Sequence, residues 1–313
     1  MASASAVSDG PAFRPGRTRH GDPSPLPFIL RRRRLVMLKQ RVITALILLA
    51  VIIGVLALGG TTAWGVLMLP VMALAIHEWT RLLGRQASPA LPISLAVAIA
   101  YGAWRSDATP APEWLVPVLG IGVLAWIFVA FRSVFRVRPS CSSPWLAAFS
   151  MLLLWVSLFE LRNLGAGVLI SAMAIVWLAD IGAYFSGRAF GRRKLAPRVS
   201  PGKTWEGVAG GAVLCIGTAL VVARAGAGAA EGSLPLFSTV VAQHLGLIGM
   251  AVVLMLLVLL SVMGDLYESL LKRHAGVKDS GTCLPGHGGM FDRIDALVPT
   301  MPLCLLIWLL MVH

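Results

Sequence analysis

Residues 240–263 read VVAQHLGLIGMAVVLMLLVLLSVM. No Asp, Glu, Lys or Arg interrupts them. At 1.5 Å per residue a helix of that length crosses the roughly 30 Å of hydrocarbon in a bilayer. Directly after it comes GDLYESLLKRHAGVKDSGTCLPGHGGMFDRID, residues 264–295, and then a second apolar run over 296–312. A chain that sets its densest charges between two membrane-length runs is a membrane protein with its chemistry at the edge of the bilayer.

The rest of the chain agrees. It is 57% hydrophobic and only 13% charged, where globular domains carry about 25% charged residues, and its mean hydropathy is +0.81. Nine windows are candidate spans by length and lack of charge: 42–59, 61–76, 91–104, 114–131, 144–159, 165–185, 207–223, 240–263 and 296–312. The third contains Pro92 and follows Pro89. The expected fold is therefore all-α, a polytopic transmembrane helix bundle of about nine spans with a polar active site facing the cytoplasm.

A formal charge of +13 invites a nucleic-acid reading, but the placement of the charge answers it. With a cytoplasmic N-terminus, every one of the 27 Lys and Arg residues except Arg105, Arg162 and Arg224 falls on the cytoplasmic side, as the positive-inside rule requires. Topology thus accounts for the basic residues, and no nucleic-acid partner is implied.

Residues 1–36, with PGRTRHGDPSPLP and then RRRR, are basic, Pro-rich and without apolar periodicity; they read as a disordered extension before a membrane domain over 37–313. Met37 opens MLKQRVITALILL, which reads as a start by itself. No small-residue cleavage site follows the run at 42–59, so it reads as an anchor rather than a signal peptide. Cys141, Cys215, Cys283 and Cys304 have no paired metal spacing and read as ordinary thiols.

Three polar groups interrupt the apolar background. In WLADIGAYFSGRAFGRRKL, Asp180 lies towards the end of the sixth window, with Tyr184 and Gly187 on the same helical face; an ionisable group inside a span is by default a functional candidate. The following RVSPGKTWEGVAGG gathers Ser200, Lys203, Thr204 and Glu206, with Pro201 and Gly202 expected to form a turn. A plainer reading makes Ser200 or Thr204 a helix cap and Lys203 an interfacial anchor.

The second group follows the eighth window. If its helix continues past the membrane, Asp265, Ser269 and Lys272 fall at i, i+4 and i+7, with Glu268 and Arg273 beside them. The third is KDSGTCLPGHGGMFDRID. Its glycines, Gly281, Gly286, Gly288 and Gly289, let the main chain approach a ligand closely enough for N–H groups to face phosphate oxygens. Asp292 and Asp295, at i and i+3 of a starting helix, are expected to point the same way, and hard oxygen ligands of this kind suit Mg²⁺. Half of the chain's 14 acidic residues lie in these groups: Asp180, Glu206, Asp265, Glu268, Asp279, Asp292 and Asp295. Carboxylates contribute little to orientation, so topology does not explain them, whereas metal-assisted phosphate chemistry does.

The segment from Ser269 to Asp295, SLLKRHAGVKDSGTCLPGHGGMFDRID, resembles the signature of the phosphatidate cytidylyltransferases, the CDP-diacylglycerol synthases: a Ser, Lys-Arg, Lys-Asp, a Pro-Gly-His-Gly-Gly loop and Asp-Arg-x-Asp. The stretches from Asp180 to Gly187 and from Ser200 to Gly207 look like that family's second polar block, and the likeness runs from about Met37 to the C-terminus. The resemblance implies a multi-pass enzyme of the bacterial inner membrane that condenses CTP with phosphatidic acid, giving CDP-diacylglycerol and pyrophosphate with Mg²⁺. The metal would lie on Asp265, Asp292 and Asp295, with Asp180 and Asp279 as further ligands. Lys203, Lys272, Arg273, Lys278 and Arg293 would clamp phosphates. Substrate would also meet Ser200, Thr204, Ser269, Gly286, Gly288 and Gly289. His287 can donate to a phosphate or make a structural hydrogen bond within the loop. The partners implied are CTP, phosphatidic acid and the lipid bilayer, with a homodimer as an allowed assembly.

Two other classes fit less well. A transporter would place its charges at the midplane of repeated halves, yet the chain has no internal repeat and its polar groups lie at span ends. A phosphotransferase consuming a CDP-linked lipid would carry a DxxDG string, whereas here Ala296 follows Asp295. A kinase or cytidylyltransferase for another lipid phosphate has compatible chemistry and is separated only by the motif.

Overall fold

The computed structural model describes residues 46–47, 50–105, 110–141, 143–226, 235–283 and 288–312. The extension over 1–36 and the loop residues Gly286 and His287 lie outside the described residues. Residues 50–58 are helical. They are followed by α1 (Thr61–Leu82), α2 (Ala90–Trp104), α3 (Leu115–Arg136), α4 (Pro144–Leu164) and α5 (Ala166–Phe190). A two-stranded antiparallel hairpin comes next, β1 (Lys194–Ala196) with β2 (Ser200–Thr204). The chain ends with α6 (Trp205–Gly226), α7 (Phe237–His274), the single turn α8 (Phe291–Ile294) and α9 (Leu297–Val312).

Among the described residues seven helices are long and apolar enough to cross a membrane: α1, α3, α4, α5, α6, α7 and the run Phe291–Val312. Nine windows were expected. The first, 42–59, is described only in part, and the third is α2, which at 15 residues rises about 22 Å, short of the hydrocarbon thickness. α2 stops where Arg105 turns inward. The Arg105 guanidinium donates to both Glu160 carboxylate oxygens on α4, from Nε at 2.7 Å and from Nη2 at 2.9 Å, and the Tyr101 hydroxyl donates to the same carboxylate at 2.6 Å. Arg105, expected in an outer loop, is thus buried.

The core is organised around α4, which packs against α1, α2, α3, α5 and α9. Of its apolar window 78% is buried, against 28% for α6, so α4 is central and α6 is largely lipid-facing. α4 starts with Pro144 at its first turn and the Ser143 hydroxyl accepting from the Trp145 N–H, which satisfies one of the free donors of a helix start. α5 and α6 approach through small residues: a Cβ at Gly182 would lie 2.7 Å from the Gly210 carbonyl oxygen, and one at Gly211 would lie 2.6 Å from that of Ala179. Backbones meeting this closely are a common way for helices to associate in lipid.

α7 is kinked at Gly246, whose φ of 71° is non-helical. Beyond the kink it continues from Leu247 to His274, rising about 40 Å, so its polar end extends past the apolar run as expected. The hairpin departs from expectation. Pro201 and Gly202 lie in β2 rather than in a turn, and the turn falls at 197–199. Both strands of a two-stranded ribbon are edges, where a missing proline N–H is tolerated.

Candidate active site

The C-terminal turns of α1, the second half of α5, β2, the polar end of α7 and the segments 279–283 and 288–295 converge. Gly264 on α7 allows it: a Cβ there would sit 2.4 Å from the Asp295 carbonyl oxygen, so α7 runs directly against the start of the last span. The next residue, Asp265, is thereby brought beside Asp295. Underneath lies an aromatic floor in which Trp79 of α1 stacks on Phe291 at 4.8 Å and meets Tyr267 of α7 edge-on at 5.5 Å.

On this floor Asp265, Glu268 and Asp295 present carboxylate oxygens that all lie within 4.8 Å of one another. Two lysines flank them. Lys203 Nζ is 2.7 Å from Asp265; Lys272 Nζ is 2.5 Å from Glu268 and 2.6 Å from Asp292. The Ser269 hydroxyl donates to Asp265 at 3.2 Å. Asp180 on α5 lies within electrostatic reach of both Lys203 and Asp265.

Asp292 and Asp295 do not point the same way. The backbone stays helical through Asp295, whose N–H donates to the Phe291 carbonyl at 3.0 Å, but at i and i+3 the two carboxylates go to different partners. Asp295 joins Asp265 and Glu268, and its Oδ1 accepts from the Ala296 N–H. Asp292 takes Lys272 on one oxygen and the N–H groups of Ser280 and Gly289 on the other, both at 2.9 Å. The structure therefore gathers Glu268 with Asp265 and Asp295, while Asp292 adjoins Glu268 from the other side and shares Lys272 with it.

Other expected residues are distributed as follows. Gly288 has φ +84°, a left-handed conformation that favours glycine, with the Asp279 side chain packed against it. Gly289 is buried, and its N–H is used by Asp292 rather than turned outward. Thr204 is likewise spent inside the fold: its hydroxyl accepts from the Gly207 N–H and caps α6, the plainer of the two readings. Ser200 is half-buried at the start of β2, while Arg273, Lys278 and Arg293 are exposed. Gly187 faces Thr204 and Gly207 rather than the carboxylates.

Sequence reasoning passes over Glu78. The residue is 4% exposed, and its carboxylate accepts from Cys283, Met290 and Phe291, with the Ser280 hydroxyl 3.0 Å away. The signal available was that Glu78 is the only acidic residue of α1, and an ionisable group in a span is a functional candidate by default.

Comparison with known proteins gives this geometry a context. The model of the family described as the cytidylyltransferase family matches residues 39–311. The chain belongs to that family. It is 37% identical over 289 residues to the phosphatidate cytidylyltransferase of Pseudomonas aeruginosa, a match covering 87% of this chain and 97% of the relative. The corresponding protein of Haemophilus influenzae is 36% identical over 291 residues, covering 85% and 96%. That of Staphylococcus epidermidis is 32% identical over 276 residues, covering 85% and 97%.

A divalent cation fits the carboxylates of this family member. Three hard oxygen donors converge, and Oε1 of buried Glu268 has no hydrogen-bond partner among the described residues. A buried carboxylate oxygen without a donor is costly, and a metal ion would supply the missing partner.

Proposed function

We propose that the chain transfers the cytidylyl group of CTP to phosphatidic acid, giving CDP-diacylglycerol and pyrophosphate. The observation that carries this reading is the carboxylate triad Asp265, Glu268 and Asp295 between Lys203 and Lys272, in a chain related over nearly its whole length to phosphatidate cytidylyltransferases. A phosphate oxygen of phosphatidic acid attacks the α-phosphorus of CTP, the bond from that phosphorus to the bridging oxygen breaks, and pyrophosphate leaves. The attacking monoester is largely ionised near neutral pH, so positioning and charge neutralisation carry most of the catalysis. Mg²⁺ held by Asp265, Glu268 and Asp295 would offset the negative charge of the triphosphate.

Within this reading Lys203 and Lys272 leave their carboxylates in part to meet phosphate oxygens, and exposed Arg273, Lys278 and Arg293 attract the triphosphate from solvent. Asp180 adds negative charge near Lys203 and holds it towards the metal side. The lipid end has its own support. An apolar cleft of about 560 Å³ is lined by Phe131, Val134, Leu195, Trp205, Met263 and Leu266. Trp205 follows Lys203 and Thr204 in the chain, and Leu266 follows Asp265, so an acyl chain in the cleft leaves its headgroup near the lysine-carboxylate pair.

The distribution of Lys and Arg favours a bacterial inner-membrane protein with a cytoplasmic N-terminus, the site on the cytoplasmic side, and nine crossings, to which 42–59 and, in spite of its short rise, α2 each contribute one, since a crossing there keeps Arg105 and the basic residues of 77–90 on opposite sides. Reporter fusions at residues 195 and 313 are expected to report opposite sides; the same side would mean an odd error in the span count. The activity itself is tested by incubating the purified protein with labelled CTP, phosphatidic acid and Mg²⁺. A lipid-soluble cytidine product that needs all three is expected, and its absence under conditions in which a relative run as positive control is active would overturn the reading.

A further inference from the structure

Glu78 is separated by some 200 positions from every group its carboxylate receives. Oε1 accepts from the Cys283 thiol at 2.9 Å and the Met290 N–H at 3.0 Å; Oε2 accepts from the Phe291 N–H at 2.8 Å and lies 3.0 Å from the Ser280 hydroxyl. These donors come from both flanks of the glycine-rich loop. Two glycines are shaped to the same carboxylate. A Cβ at Gly281 would fall 2.2 Å from Glu78 Oε1, and one at Gly289 would fall 2.5 Å from Oε2 and 2.1 Å from the Ser280 hydroxyl. On the far side of Ser280 stands Asp292, whose Oδ2 is 3.0 Å from that hydroxyl and which in turn holds Lys272.

We propose that Glu78 is a positioning residue: a buried anion in α1 that ties Ser280–Cys283 to Gly289–Phe291 and thereby fixes the Asp292–Lys272–Glu268 arm of the site. It touches no substrate. The inference rests on the cytidylyl-transfer reading of that site. Hydrogen bonds to an ionised acceptor are roughly twice as strong as neutral ones, and with several donors converging on two oxygens, only a carboxylate can accept them all. A glutamine has one acceptor oxygen and must set its NH₂ against donors. The Cys283 thiol reports on the contact independently: partial burial first, and the bond to the Glu78 carboxylate second, push it up to about 11.

The test compares wild type, Glu78→Gln and Glu78→Asp, each purified as the full chain in detergent, with two readouts. Alkylation of Cys283 by iodoacetamide, followed across pH by mass spectrometry of its peptide, needs no substrate. In Glu78→Gln the thiol is expected to alkylate about tenfold faster at pH 8, since its thiolate is no longer opposed by the neighbouring charge. The second readout is turnover: kcat is expected to fall about 10- to 100-fold, as small displacements of catalytic groups do, with KM for phosphatidic acid within about twofold. Glu78→Asp, which keeps the charge on a shorter arm, should lie between the two. A Glu78→Gln protein with wild-type kcat, or with an unchanged Cys283 profile, overturns the proposal; if that variant cannot be recovered from the membrane, Glu78→Asp decides by the same readouts. Wild type without cytidylyl transfer but with the expected Cys283 shift would sink the functional reading and leave the clamp standing.

Discussion

Asp295→Asn is expected to lower cytidylyl transfer about a thousandfold while the protein stays folded in the membrane. The substitution keeps size, and its side-chain oxygen can still accept the Ala296 N–H that Asp295 Oδ1 accepts at 2.8 Å. What it removes is one of three negative charges whose oxygens lie within 4.8 Å of one another. A metal's stabilisation of developing charge is worth several kcal/mol, and about 4 kcal/mol corresponds to roughly three orders of magnitude in rate. Stability should move the other way. Without a cation, three clustered carboxylates repel, so the variant is expected to be at least as stable as wild type in a chelator. Adding Mg²⁺ should then raise the unfolding midpoint of wild type, as a ligand of the folded state does, and leave the variant nearly unmoved. Near-normal turnover by Asp295→Asn across a Mg²⁺ titration would remove Asp295 from the metal site. Equal stabilisation of both proteins by Mg²⁺ would place the cation elsewhere.

The membrane spans were legible because hydrocarbon imposes a length and a composition that local sequence must meet. Asp265 and its extension onto Ser269 and Lys272 were legible for a related reason: a helix that continues fixes which side chains share a face. Contacts between distant elements were not. Glu268 enters the triad because α7 packs at Gly264 against Asp295 and Ala296, and Asp292 and Asp295, three positions apart on one helical turn, are drawn to different partners by groups from distant segments. Glu78 finds its donors more than 200 positions later, and nothing in HEWTR announces them. At Gly289 the missing side chain has a cause inside the fold, since Ser280 and Glu78 crowd it, and a sequence shows only that the side chain is missing. Arg105 shows the same limit, since its place in a presumed loop gave no sign that Glu160 would draw it into the core.

The second large effect is expected at Lys272. Its ammonium stands between Glu268 and Asp292, with side chains that are 14%, 1% and 9% exposed respectively. Lys272→Met keeps most of the volume but leaves two enclosed carboxylates facing each other without a cation. Removing one member of a buried ion pair costs about 3–5 kcal/mol, because the remaining charge stays buried and unpaired. Asp292 retains the N–H groups of Ser280 and Gly289, so Glu268, whose Oε1 already has no partner among the described residues, bears most of that cost. The variant should therefore show a lower denaturant midpoint in detergent as well as lost turnover. The two losses separate in Lys272→Met/Glu268→Gln. Neutralising Glu268 removes the uncompensated charge, so most of the stability is expected to return. Activity is not, since the double variant lacks both a phosphate-facing cation and a member of the carboxylate triad. Wild-type stability in Lys272→Met alone would mean that Glu268 and Asp292 do not depend on this lysine. A double variant as unstable as the single one would mean that packing of the lysine stem, not its charge, holds this end of α7 in place.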